Sequence, residues 1–249
     1  LKRKTAYILT LWIGVVTLEG GCAILADPTE IHDADKATKE SRELKLITYN
    51  IHYGVGLDKK PSLPEIIEIV RPFDVICLNE VPPNVTQQMA EKLDMAWICS
   101  GESRLNNAIL SKIPIRSARV YHMPRFMGVG ERRTMVEAKL ENGLTVFALH
   151  SGLVPVERDI HLACAKQVLD RCPGPRVLCG DLNCAPNWKA IRGLRRDYKD
   201  VGFEKTHQTF PRLRIDYILA SEGIEIREFT VGRSRASDHL PVSAVLDLQ

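Results

Sequence analysis

Arg176-Val177-Leu178-Cys179-Gly180-Asp181-Leu182-Asn183-Cys184-Ala185-Pro186-Asn187 is the stretch whose reading decides the fold. Val177, Leu178 and Cys179 form a short apolar run of the kind that makes a buried strand. The run stops at Gly180, and a turn carrying Pro186 and Asn187 follows. Asp181 and Asn183 are two residues apart, so on an extended chain they point the same way. A carboxylate and an amide are thus aimed together beyond the end of a sheet, where loops on a rigid scaffold carry chemistry. A capped turn would use the same two residue types. Other stretches that end alike favour the site.

Leu44 to His52 alternates apolar and polar residues, then delivers Asn50 and His52 to a loop containing Gly54 and Gly56. Asp74 to Val81 is an apolar strand closed by Glu80 and Pro82-Pro83. A glutamate ending such a strand is informative, because Glu is rarely buried without a partner or a metal. Asn106 to Ser111 is a short strand. Arg133–Leu140 and Leu144–Leu149 are joined by Asn142-Gly143, a strong hairpin signal, and the second leads into His150. A strand at Ile115–His122 precedes them. Arg214 to Leu219 is a strand with Asp216 among apolar neighbours. Ile224–Val231 is another, and Ser237-Asp238-His239 leads into the last, Leu240–Leu246. Helical spacing covers Leu63–Val70, Val85–Leu93, Val156–Leu169 and Trp188–Arg196. Alternating strands and helices, with hairpins, predict an α/β domain whose sheets are covered by helices.

The chain has 249 residues, 45% of them hydrophobic, ample for one large core. Its formal charge is +3, of which Lys2, Arg3, Lys4 and Glu19 supply +2, leaving residues 27–249 close to neutral. Global charge therefore neither calls for nor excludes a nucleic-acid partner. A basic head followed by apolar residues from Thr5 to Leu18 resembles a secretory signal, so residues 1–26 are read as a signal or anchor. Gly20-Gly21-Cys22 resembles a bacterial lipoprotein cleavage box, with Cys22 as the lipidated residue and Glu19 off pattern; cleavage after Ala26 is the alternative. Residues 27–43 are polar and aperiodic, as a linker would be. These features predict export to a periplasmic, extracellular or membrane-tethered location. Of the seven cysteines, Cys77 and Cys179 lie in apolar strands as core residues, and Cys164 with Cys172 is the expected bridge. No Cys-x-x-Cys spacing suggests zinc.

Together these stretches resemble the endonuclease/exonuclease/phosphatase superfamily of DNase I-like enzymes, over about Leu44 to Leu248. The family's motifs occur in order as Thr48-Tyr49-Asn50-Ile51, Asp74 to Glu80, Asn107 to Ser111, Leu149 to Leu153, Gly180 to Asn183, Arg214 to Ile218 and Ser237 to His239. Each is weak alone; the ordered set is specific. The resemblance implies a four-layer αββα sandwich of two mixed β-sheets, face to face and flanked by helices. It also implies hydrolysis of a phosphate ester with Mg²⁺ or Mn²⁺, held by Asn50, Glu80 and Asp238. On the same footing Asp181 aligns or deprotonates the attacking water, Asn183 steadies the phosphate, Asp216 orients His239, and His150 lies beside the phosphate. His52, Asn107 and Arg214 are expected to contact substrate. The branch that acts at abasic sites lacks a histidine where His150 stands and has an acidic residue where His52 stands, so abasic-site repair is disfavoured. Among substrates, a nucleic acid is the leading named class. A sphingomyelinase-like phospholipid reaction and inositol-phosphate or other monoester hydrolysis are the alternatives. A non-catalytic binding module of the same fold is a further one. The chain is expected to act as a monomer.

Overall fold

The computed structural model describes residues 14–17, 23–32, 43–101, 105–125, 128, 131–203 and 207–249. Of the segment read as an export signal, residues 1–13 and 18–22 lie outside that set, Cys22 among them, as do residues 33–42 of the polar linker. Gly14–Thr17 (β1) and Ala23–Pro28 (β2) form strands, and β2 pairs antiparallel with Ile115–His122 (β7) at one sheet edge. His32 bridges Trp97 through the backbone and stacks on its ring at 4.0 Å.

The eight-stranded sheet runs β1-β2-β7, then Thr134–Leu140 (β8), Thr145–Leu149 (β9), Arg176–Asp181 (β10), Asp216–Ala220 (β12) and Lys199–Asp200 (β11). The six-stranded sheet runs Ile224–Val231 (β13), Val242–Leu248 (β14), Glu43–Asn50 (β3), Val75–Asn79 (β4), Asn107–Ser111 (β6) and Ala96–Cys99 (β5). Both sheets are mixed, with β9 parallel to β10 and β3 parallel to β4. Three apolar clusters separate four layers. Leu46, Val75, Cys77, Val146, Cys179 and Ile218 belong to the one between the sheets. Leu63–Val70 (α1) and Pro83–Leu93 (α2) cover the outer face of the smaller sheet through Ile66, Val70 and Met89. Pro155–Arg171 (α3) and Lys189–Leu194 (α4) cover the larger one through Leu162, Leu169 and Ile191. Proline within the first turn starts α1, α2 and α3, where its missing N–H costs nothing.

The two-residue period of a strand places the site. Inward-facing side chains run Leu44, Leu46, Thr48, Asn50 on β3 and Val75, Cys77, Asn79 on β4. On the opposite sheet Val177 and Cys179 lead to Asp181, and Ala220 and Ile218 lead to Asp216. Every row is apolar through the core and turns polar at the same end of the sandwich. Register keeps these ends level: Asn50 pairs with Asn79, Asn79 with Asn107, and Asp181 with Asp216.

Two expectations need correction. Cys172 is a free thiol, so no Cys164–Cys172 bridge forms. Eight residues of helix separate the two by about 12 Å at ~1.5 Å rise per residue, beyond the reach of a disulfide. The strand expected from Arg214 begins only at Asp216, which alters where Arg214 points.

Gly180 lets β10 lie close against the end of β9 while facing Asn79 of the other sheet. Its φ is +134°, and a Cβ there would lie 2.0 Å from the Leu149 carbonyl oxygen and 3.1 Å from Asn79 Oδ1. Gly180→Ala is therefore expected to lower the urea midpoint sharply, by about 3 kcal/mol or more of stability. An unfolding curve superimposable on the parent's would refute the close approach.

Candidate active site

Asp181 is at the centre. Its Oδ2 lies 3.2 Å from Asn50 Nδ2, 3.4 Å from His150 Nε2 and 3.7 Å from His239 Nε2. Its Oδ1 accepts the Asn183 backbone N–H at 2.9 Å, and its own amide donates across the sandwich to Asn79 Oδ1 at 2.9 Å. Asn79 donates in turn to Asn107 Oδ1 at 2.6 Å, and Asn107 to Thr134 Oγ1 at 3.1 Å. Asn50 Nδ2 also reaches Glu80 Oε1 at 3.2 Å. Ser237 Oγ donates to the Asn50 carbonyl at 2.7 Å, which ties the Asp238-His239 loop to the end of β3. His239 Nδ1 is 2.9 Å from Asp216 Oδ2.

Burial and the neighbouring Asp216 carboxylate push Asp181 up to about 7. Burial alone would lower His239, but Asp216, Asp181 and Asp238 more than offset it and push the ring up to about 9. His150 is driven far the other way, by complete burial and then by the Arg133 guanidinium, whose Nη1 lies 2.7 Å from Nδ1. One imidazole is thus held charged and one neutral on either side of the same carboxylate.

The geometry brings together Asn50, Glu80, His150, Asp181, Asn183, Asp216 and His239. Asp238 and His52 lie at the mouth, with His52 Nδ1 3.9 Å from Asp238 Oδ1. Asn183 sits at φ +50° and its amide donates to the Ser151 carbonyl at 3.1 Å. Asn107 is fully buried, with its amide spent on Asn79 and Thr134. Arg214 is turned away from the site, to Asp200, and lies 4.6 Å over the Tyr217 ring. Asn79 and Arg133 did not stand out in the sequence. Asn79 is masked by the adjacent Glu80, whereas its place in the inward row Val75-Cys77-Asn79 would have singled it out. Arg133 belongs to a doubly basic pair at the start of a strand, and nothing in its local sequence marks it as the partner of a buried histidine.

The donor chemistry suits a hard cation. Glu80 and Asp238 are 16% and 35% exposed, and among the described residues neither has a Lys or Arg partner. With Asn50 they form an oxygen-rich set that leaves room for retained waters. Asp181, Asp216 and His239 also approach closely enough to share an ion, with ligand atoms within 4.8 Å.

A family model described as the Endonuclease/Exonuclease/phosphatase family matches residues 47–239. The chain belongs to this family. Its members are generally phosphoester hydrolases that use a divalent metal, and the two facing sheets are the DNase I-like fold. The family member from Beutenbergia cavernae DSM 12333 is 21% identical, with TM-score 0.70 over 84% of this chain and 72% of that one. The mannosyl-6-phosphatase of Bacteroides thetaiotaomicron VPI-5482 is 18% identical, with TM-score 0.69 over 82% and 99%. Humanized D. rerio TDP2 is 15% identical, with TM-score 0.69 over 83% and 100%. No curated protein matches the chain.

Because Asp181 titrates near 7 in the fold and near 4 when unfolded, the folded chain holds a proton that the unfolded chain has released between those values. Stability from this group falls as pH rises through that window. In EDTA at about pH 8, Asp181→Asn is expected to melt several degrees above the parent, and the gap should close toward pH 4. A lower Tm for the variant at the alkaline end would show that the charged His239 outweighs the burial of the Asp181 carboxylate.

Proposed function

We propose that the protein hydrolyses a phosphate ester by in-line attack of water at phosphorus, with Asp181 as the base. The observation that carries this reading is a buried carboxylate raised to about 7, beside a histidine raised to about 9. Base and acid with separated proton affinities stand within 3.7 Å of each other. Asp181 is oriented by the Asn183 backbone N–H on Oδ1 and the Asn50 side chain on Oδ2, and Oδ2 also lies within 3.4 Å of His150 Nε2 and 3.7 Å of His239 Nε2. His239, charged and fixed by Asp216, donates to an oxygen that gains negative charge. Neutral His150, braced by Arg133, is placed to hydrogen-bond the same phosphate.

Glu80, Asn50 and Asp238 would hold Mg²⁺ or Mn²⁺, which when bound neutralises phosphate charge. Phosphate esters are among the slowest substrates to hydrolyse unaided, so roughly 20 kcal/mol must come off the barrier. One acid–base group supplies about 10²–10⁴-fold. Most of the remainder falls to charge stabilisation by the fixed donors and the cation.

Turnover of bis-p-nitrophenyl phosphate or p-nitrophenyl phosphate in Mg²⁺ or Mn²⁺ tests the reading. EDTA should abolish it. Asp181→Asn and His239→Ala should each lower kcat by about 10²–10⁴-fold with folding intact. Turnover close to the parent's in either purified variant would remove that residue from the mechanism.

A further inference from the structure

The loops around the site carry a combination of residues that hydrolysis itself does not require. Five large apolar side chains are between 46% and 65% exposed there: Leu57, Leu153, Val154, Val156 and Leu213. Among the described residues only Phe203 adds to the exposed large apolar set, and it lies against Arg195 instead. Leu153, Val154, Pro155 and Val156 are consecutive and all exposed, beginning three residues after His150. Leu57 follows the end of β3, and Leu213 precedes the start of β12. Strand direction puts all of these loops at the end of the sandwich where the inner rows turn polar. Single exposed apolar residues are ordinary, but a set confined to one end marks a contact surface.

The same end carries exposed cations. Lys59, Lys60, Arg212, Arg233 and Arg235 are exposed. Only Lys60 has a carboxylate near it among the described residues, Asp58 at 3.9 Å, and that pair is open to solvent. These residues stand on a braced rim. Leu57 N–H donates to the Arg235 carbonyl at 2.9 Å, Ser62 Oγ to the Ala236 carbonyl at 2.6 Å, and Leu240 N–H to the Thr209 carbonyl at 2.7 Å. Three loops are thereby joined, and His239 lies within them against the Phe210 ring at 4.8 Å. Cations around a nucleic-acid groove would be interleaved with stacking aromatics. Here the aromatics of the same loops, Tyr53 and Phe210, are half-buried against His52 and His239, and the exposed residues beside the cations are Leu and Val, the pairing that holds peripheral proteins at an anionic bilayer.

We propose that this end of the molecule docks on an anionic lipid surface, which brings a headgroup phosphate ester to Asp181. The substrate assignment rests on the hydrolase reading above; the docking does not. The test uses the full chain with vesicles of phosphatidylcholine alone or containing phosphatidylglycerol. Co-sedimentation should require phosphatidylglycerol. Lys59→Gln with Lys60→Gln and Arg233→Gln should weaken it about fivefold for each cation removed. Leu153→Ser with Val154→Ser and Val156→Ser should weaken it by about tenfold or more. Both variants should keep the parent's turnover of bis-p-nitrophenyl phosphate in solution. A local readout separates this face from any hold by the N-terminus: emission of Leu153→Trp, relative to the parent, should shift blue and be quenched by brominated lipid. Sedimentation equal in parent and variants, or an unshifted Trp signal, would overturn the proposal. So would binding of a single-stranded oligonucleotide through the same cations while phosphatidylglycerol vesicles leave the protein in solution. Loss of metal-dependent turnover in the parent would instead remove the hydrolase reading and leave the docking result standing.

Discussion

The hydrogen bond from the Asp181 amide to Asn79 Oδ1 ties the backbone of one sheet to the other at the end where the site lies, beside the side-chain links Asn50–Asp181 and Asn107–Thr134. Face-to-face sheets normally stand about 10 Å apart, filled by side chains. Here a backbone donor on one sheet meets a short side chain on the other, and a glycine is needed beside it because any Cβ would strike the Leu149 carbonyl. The contact holds Asp181 at a fixed height above the apolar core. Asn50, His150 and His239 are then positioned relative to it from three other strand ends.

Placing a carboxylate there is unfavourable to the fold. Asp181 is almost wholly buried and, among the described residues, has no Lys or Arg partner, only an amide, a backbone N–H and two imidazoles. Binding the carboxylate more tightly would keep it ionised and make it a weaker base. The structure stabilises its neighbour instead: His239 is charged between Asp216 and Asp181 and screens both. Function and stability therefore pull in opposite directions at this residue, as they do wherever a site needs a reactive group held out of water.

Much of this was legible in the chain. Strands that close on a polar residue locate Asn50, Glu80, His150 and Asp181, because an apolar run fixes burial and its last residue must face either solvent or a site. Proline and glycine fix the helix ends within a few residues. Reading failed where long-range pairing overrides local signal. Ala96–Cys99 forms β5 by pairing with β6, and its four residues carry too little periodicity to be seen alone. Arg214 is read from the sequence as the first residue of a strand and as a substrate contact. Residues 214 and 215 precede the strand, the two-residue period does not apply, and the guanidinium is drawn to Asp200. Asn107 is expected from the sequence to contact substrate, and its side chain is occupied within the protein by Asn79 and Thr134.

The amide row across the sandwich has a direction. Asn79 accepts from Asp181 and donates to Asn107, which donates to Thr134. A carboxylate can only accept at neutral pH, so an isosteric Asp at 79 would break the chain at its second link; a glutamine would be too long for the gap, and an alanine would leave a buried N–H without an acceptor. Drift at this position is thus confined to a single residue type. The constraint comes from the polarity of a hydrogen-bond relay, although residue 79 itself need never touch a substrate.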